Sequence, residues 1–339
     1  MSAKRTTKPE VLMLVTGELF AQVFRSETLA QLGTFAEVVA PAEKDTPLAA
    51  LLPTAQGVIT SWGSSKQITE EFLDQALDLK IIAHAAGSAR AAAQLALPRG
   101  ITVVNGAPAI ARSVAEYCLG MTIACLRRVL EHDRNMKAAT TKEQRDTGRR
   151  GITGRGIFGK RVGLVGFGYT AREYTKLLQP FEPEISAYDP YVDDAVLAEF
   201  GVTRAGDLKG LLADSEIVSL HVPGHVRHLI GRAEFKSLKD GAVFINSSGG
   251  PVFDPNAFAE EAATGRFWAA TEADPFEGVL PEDSPIRRLQ NVIVTPHIAG
   301  PTLDARWMMG DLVVEELRRF FAGAPTRYAI SPKRVEHVA

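Results

Sequence analysis

The chain has 339 residues and a mass of 36.6 kDa, room for two domains at about 150 residues each. Hydrophobic residues make up 45% and charged residues 23%, which excludes wholesale disorder, a collagen-like repeat and a disulfide-stapled mini-protein. With 38 Lys and Arg against 40 Asp and Glu, the formal charge is −2, so no basic excess points to a nucleic-acid or membrane partner.

Near the N-terminus the apolar run Val11–Val15 is too short for a signal h-region. No stretch approaches the ~20 apolar residues that cross a bilayer, and the expectation is a cytoplasmic protein. Further Val- and Ile-rich runs follow at Ala36–Val39, Gly57–Ser61, Ile81–Ala83 and Thr102–Val104. Short apolar runs alternating with helix-like segments are the rhythm of β-α-β units around a buried parallel sheet. A helix is expected from Ser113 to about Leu130, with Ser113 and Glu116 matching an S-x-x-E capping box. Cys118 and Cys125 fall on it seven residues apart, about 10 Å by the helix rise, and cannot bridge each other. That usage suits a reducing compartment. The polar stretch from His132 to Gly156 reads as a surface connection.

A second series of runs then begins: Val162–Val165, Ile185–Tyr188, Ile217–Leu220, Val243–Ile245, Trp268–Thr271 and Val292–Val294. Two successive doubly wound sheets are the simplest account. Near the C-terminus, Leu312–Phe321 has helical spacing.

The strongest local signal is G-x-G-x-x-A, formed by Gly166, Gly168 and Ala171 between a strand and a helix, with Phe167, Tyr169 and Thr170 filling the turn. Gly166 permits the tight turn, Gly168 lets backbone approach a pyrophosphate, and Ala171 lets helix and strand pack closely. The helix N-terminus then faces the anion. Asp189 stands 21 residues after Gly168, at the end of the next strand. A carboxylate there accepts hydrogen bonds from an adenosine ribose and repels a 2′-phosphate. The bland alternative is a turn residue before Pro190. No Lys or Arg occurs in residues 190–194, so the expected cofactor is NAD rather than NADP.

At this point the residues resemble the D-isomer-specific 2-hydroxyacid dehydrogenases over nearly the whole length. The pieces are Asn105–Pro108, Ser113–Tyr117, Gly159–Gly163, the nucleotide turn, Tyr188–Pro190, Val218–Pro223, Phe244–Asn246 and Thr295–Gly300. The resemblance implies an α/β protein of two doubly wound parallel-sheet domains. A flavodoxin-like substrate domain would comprise residues 1–108 and 300–339, with a Rossmann NAD-binding domain, residues 109–299, inserted in it. It further implies a small-molecule substrate held in the cleft between domains, no metal, and a homodimer built on the nucleotide domains.

Oxidising a 2-hydroxy acid needs a base for the hydroxyl proton, a carboxylate to orient that base, and a cation for the substrate carboxylate. The resemblance gives the first role to His297, after Pro296, and the second to Glu277. A different register, anchored on Asp274, puts Gly278 or Val279 in that second place. The family pattern usually carries Asp where Glu272 stands. Cofactor contacts are expected from Gly166, Phe167, Gly168, Tyr169, Thr170, Asp189, His221, Val222, Pro223, Ser247 and Ser248. Substrate contacts are expected from Gly87 and Ser88, and Trp62 either lines the pocket or simply packs.

Two departures stand out. The family's arginine position is Gly249, which removes two charge-assisted hydrogen bonds, on the order of 3–6 kcal/mol, about 10²- to 10⁴-fold if nothing compensates. The loop His221–Gly231 is about two residues shorter than the family's. Arg90, Arg112, Arg227 and Arg306 are candidate replacement cations, each more simply a solvated surface charge. Two functions follow: an NAD-dependent dehydrogenase of D-2-hydroxy acids, or an NAD(H)-binding sensor or scaffold that has lost catalysis.

Overall fold

The computed structural model describes residues 8–40, 47–151, 153–249, 251–272, 276 and 278–337. The chain forms two compact units, one running to Ile110 and resuming at Pro301, the other comprising Ala111–Gly300.

The first unit is built on five parallel strands in the order β2-β1-β3-β4-β5. They are β1 (Glu10–Met13), β2 (Glu37–Val39), β3 (Gly57–Thr60), β4 (Ile81–His84) and β5 (Thr102–Asn105). Every residue of β3 and β4 is buried, as a strand covered on both faces requires. Alternation sorts the side chains between two cores. Val11, Met13, Ile59, Ile81 and Val104 meet α1 (Gly17–Val23), α2 (Ser26–Phe35) and the late helix, through Val23, Leu32, Val313 and Leu317. Leu12, Val58, Ile82 and Val103 face α3 (Glu70–Gln75) and α4 (Arg90–Ala96), through Phe72, Leu73, Ala92 and Ala93. Beyond the late helix the chain is pinned back to this unit. Ile330 N–H donates to Val103 O at 2.8 Å, and the buried Glu316 carboxylate accepts from Arg327 and Tyr328 N–H at 2.7 and 3.0 Å.

The second unit holds seven parallel strands in the order β12-β11-β10-β9-β6-β7-β8. They are β6 (Arg161–Val165), β7 (Glu184–Tyr188), β8 (Thr203–Arg204), β9 (Ile217–Leu220), β10 (Val243–Asn246), β11 (Trp268–Glu272) and β12 (Val292–Thr295). Six match the expected runs. The two exposed residues of β8 gave no apolar signal. Phe235, Phe244, Phe253, Phe258 and Phe267 form an aromatic core, Phe253 and Phe258 with centroids 4.8 Å apart.

Three expectations are corrected. Helix α5 spans Ala107–Leu126, so Ser113 lies inside it and caps nothing. Asn105 Oδ1 instead accepts from Ala107 N–H at 3.3 Å, where the helix begins. The stretch expected as connection folds into two helices, α6 (Val129–Ala138) and α7 (Lys142–Gly151), neither with a buried residue. Their Glu, Lys, Arg and Gln are good helix formers, and Lys137 reaches Asp133 one turn back at 2.7 Å. Finally, α5 is long and apolar enough by length and composition to cross a membrane, with a mean hydropathy of 1.3; half of it is buried in the fold. Cys118 and Cys125 on it are free and buried.

The late helix is Leu303–Phe321, α13 when every later helix of the chain is counted. On α13, a Cβ added to Gly310 would collide with the Val23 carbonyl oxygen of α1. Gly310→Ala is therefore expected to cost about 1–3 kcal/mol, read as a lower urea midpoint. Gly33→Ala in α2, where the added carbon meets nothing within 4 Å, is the control and is expected to leave the midpoint level or raise it.

Candidate active site

The strand order of the second unit reverses between β6 and β9, and the carboxyl ends of strands at such a switch point form a ligand crevice. The Gly-rich turn stands there. Gly166 has φ +86°, and a Cβ on it would lie 2.6 Å from the His221 carbonyl oxygen. Glycine is required both by the backbone and by that neighbour. Gly168 differs: a Cβ on it meets nothing within 4 Å, so its backbone is open to approach at the head of α8 (Tyr169–Leu178). Behind the turn Phe167 and Ala171 are buried, while Tyr169 is exposed. This cradle fits a dinucleotide pyrophosphate.

Asp189 closes the turn from β7. Its carboxylate accepts from Phe167 N–H at 2.8 Å and from Tyr191 and Val192 N–H at 2.8 and 3.2 Å. A carboxylate offers about four acceptor sites, so capacity remains for a ribose hydroxyl. Arg204, brought in by β8, donates to the carbonyl oxygens of Asp189 and Val192 at 2.7 and 2.5 Å and to Asp194. Its guanidinium braces the acidic turn, a role invisible in the residues next to Asp189 in sequence.

The loops after β9 and β10 meet each other. Val222 N–H donates to Ser248 Oγ at 3.0 Å, and Ser248 N–H to Asn246 Oδ1 at 3.1 Å. Ser247 Oγ donates to Leu220 O at 3.3 Å. The His221 ring turns inward, 5.7 Å from the Tyr174 ring, with Nε2 buried and unpartnered among the described residues. Only its backbone lies at the Gly166 turn. Gly249 stands in this region with open space where a Cβ would project, so no side chain there supplies the expected cation.

His297 follows β12 on an exposed turn with φ +54°. The left-handed conformation costs a residue with a Cβ roughly 1–2 kcal/mol and persists only where neighbours over-determine it. Those neighbours are residues with no assigned part in the chemistry, Ser113 being expected only as a helix cap. Buried Glu272, at the end of β11, accepts from Ala299 N–H through Oε1 at 3.0 Å. Ser113 Oγ donates to Ala299 O at 2.9 Å, and Tyr117 Oη lies 2.7 Å from Thr295 Oγ1. The signal for two of them was their i, i+4 spacing on α5, which puts both on one helix face. Glu277 lies outside the described residues.

In the first unit, Gly87 and Ser88 follow β4 and Trp62 follows β3, all at the carboxyl edge of that sheet. Trp62 is 39% exposed. His84 is buried, with Nδ1 2.9 Å from Thr60 Oγ1, and its ring bonds the Ser88 backbone. It therefore sets the Gly87–Ser88 turn from below. Of the candidate cations, Arg112 and Arg227 are exposed, whereas Arg90 and Arg306 are half-buried. Arg306 donates to Gln22. Arg90 opens α4, two residues past Ser88.

A Gly-rich cradle at the switch point of a parallel seven-stranded sheet defines a dinucleotide-binding unit, and comparison with known proteins gives the family. The family model for the NAD-binding domain of D-isomer specific 2-hydroxyacid dehydrogenases matches residues 119–299, over half of the chain. A hydroxypyruvate reductase of Thermotoga maritima is 34% identical over 261 residues, covering 75% of this chain and 81% of that protein. A D-3-phosphoglycerate dehydrogenase of Archaeoglobus fulgidus is 31% identical over 277 residues, covering 80% of this chain and 51% of that protein. The chain thus spans about half the length of that relative. The crystal structure of D-mandelate dehydrogenase from Rhodotorula graminis, 20% identical, superposes with a TM-score of 0.80 over 96% of this chain and 98% of that one, and shows the same fold. The chain belongs to the D-isomer specific 2-hydroxyacid dehydrogenase family.

Burial holds two histidines neutral, one in each unit: His84 is pushed down to about 4 and His221 to about 3, from an ordinary 6.5. Protons therefore bind the unfolded chain more tightly. The stability these groups contribute is fully present above pH 6.5 and falls as the pH drops from there towards the folded values. The expected slope is about 1.4 kcal/mol per pH unit for each histidine, measured by urea unfolding between pH 7 and 4.5. His221→Gln is expected to flatten the profile; an unchanged slope would contradict the neutral assignment.

Proposed function

We propose that the protein is an NAD-dependent oxidoreductase that transfers a hydride between the nicotinamide and a small D-2-hydroxy acid or its 2-keto counterpart. The observation that carries this reading is His297, held in a left-handed conformation at the carboxyl edge of the sheet whose switch point carries the Gly166–Gly168 cradle. When bound, NAD(H) supplies or accepts the hydride. The Gly168 backbone and the head of α8 take the pyrophosphate, and Asp189 takes the adenosine ribose, favouring NAD over a 2′-phosphorylated cofactor. The loops carrying His221, Val222, Pro223, Ser247 and Ser248 flank the nicotinamide.

His297 acts on the proton. In reduction, the imidazolium donates to the keto oxygen as the carbon becomes tetrahedral; in oxidation, the neutral ring takes the hydroxyl proton. An imidazole can donate a proton in one direction and accept it in the other. Glu277 orients it. Backbone N–H groups of Gly87 and Ser88 receive the substrate carboxylate, and Trp62 lines that side. Arg90, two residues past Ser88 in the same unit, is the candidate cation for that carboxylate. Within this reading the enzyme works in a reducing cytoplasm, where its two buried thiols stay free. It pairs as a homodimer through the nucleotide unit, where Val129, Met136 and Phe158 are exposed.

NADH oxidation with glyoxylate, pyruvate and hydroxypyruvate tests the reading directly, and no turnover of any of them would overturn it. His297→Ala is expected to lower kcat about 10²- to 10⁴-fold while leaving NADH affinity, read by fluorescence titration, unchanged. Arg90→Met is expected to raise KM for the keto acid about 10- to 150-fold. Gly249→Arg, whose side chain starts into open space, is expected to raise kcat/KM for simple 2-keto acids.

A further inference from the structure

The Ser113–Tyr117 segment has no part in the chemistry set out above, yet it carries two hydroxyls that meet the His297 turn. They lie one helical turn apart on α5. Ser113 Oγ donates to Ala299 O at 2.9 Å, on the C-terminal side of His297. Tyr117 Oη lies 2.7 Å from Thr295 Oγ1, on the N-terminal side. From the sheet, Glu272 Oε1 accepts from the N–H of the same Ala299 at 3.0 Å. The turn is thus held on both flanks, and Ala299 is bonded through both its N–H and its carbonyl. Ser113, Glu272 and Ala299 are all buried, where a polar group without a partner is costly and a satisfied one fixes geometry. Between the two anchored flanks stands His297 at φ +54°, its own N–H donating to Thr295 O at 3.1 Å. A strained residue between two pinned flanks is the arrangement expected where an exposed side chain must be presented in one direction.

We infer that Ser113 and Tyr117 are positioning residues that, with Glu272, clamp the Thr295–Ala299 turn and so fix where the His297 imidazole stands. The clamp rests on the proposed role of His297 for its catalytic consequence, but not for its existence. It assigns work to the Ser-x-x-x-Tyr spacing of α5, whose other face is occupied with packing through Cys118 and Thr122. All the residues involved belong to one compact unit.

Two readouts test it on the full chain. In the first, Ser113→Ala and Tyr117→Phe are each expected to lower kcat roughly ten- to hundredfold, with NADH affinity within twofold of the unmodified protein. Ser113→Thr, which keeps the hydroxyl, is expected to restore most of the loss. In a His297→Ala background, Ser113→Ala is expected to add nothing to the residual rate, because the clamp acts through that imidazole; an equal further drop would mark a general structural role and overturn the inference. The second readout is hydrogen exchange of the amides of Thr295 and of residues 297–300. Ser113→Ala and Tyr117→Phe are expected to speed it at least tenfold while the amides of β6 and β9 stay unchanged. Unaltered exchange in the turn would overturn the clamp. Faster exchange with unaltered kcat would overturn its positioning role. If the unmodified protein reduces no 2-keto acid, the proposed activity falls and the catalytic consequence falls with it, while exchange still decides whether the two hydroxyls hold the turn.

Discussion

The second unit turns on a single close approach. The chain leaving β6 at Gly166 passes so near the His221 carbonyl at the end of β9 that only a hydrogen fits between them. The adjacency of β6 and β9 makes this approach unavoidable, because those two strands flank the point where the sheet changes direction. The same squeeze sends the chain into α8 with its first N–H groups facing outward. The acidic turn after β7 then locks on through Phe167 N–H. Sheet order, turn and carboxylate are therefore one construction, and a side chain at Gly166 would disturb all of it.

The strands were legible because parallel strands buried on both faces must be written as continuous Val- and Ile-rich runs. β3, β4, β9, β10 and β11 are buried throughout, and each was recognisable from three to five residues. β8 was not, because Thr203–Arg204 is exposed and holds its place by backbone pairing with Ser186 and Ala187. The start of α5 was misplaced for a related reason. Ser113 and Glu116 look like a cap when only local spacing is considered, whereas the serine hydroxyl is committed to a carbonyl 186 residues away in sequence. A long-range hydrogen bond leaves no trace in local periodicity.

The candidate site was legible unevenly. Its glycines and Asp189 stand out by spacing, since each answers a backbone or charge requirement that few residue types meet, whereas His297 was reached only through the family resemblance. Arg204 and Glu272 do not stand out, because they act on main-chain groups that the fold brings from elsewhere. His221 shows the converse. Its place beside the cradle was anticipated, but its ring points into the core against Tyr174, and its backbone is what the turn uses. At Gly249 the open space is equally informative: among the described residues nothing lies within 4 Å of where a Cβ would stand.

The division of the first unit has a consequence for how the molecule is made. Its sheet is complete in sequence by Asn105, but Val313, Val314 and Leu317, which cover one face of that sheet, are translated only after the whole of Ala111–Gly300. At a synthesis rate of about 5–20 residues per second, that face waits on the order of ten to forty seconds for its helix. The second unit, continuous in the chain, has everything it needs to fold during that interval. A nascent chain stalled near Gly300 would therefore carry a finished nucleotide unit beside a half-covered apolar sheet, the state most exposed to aggregation and the natural place for a chaperone to act.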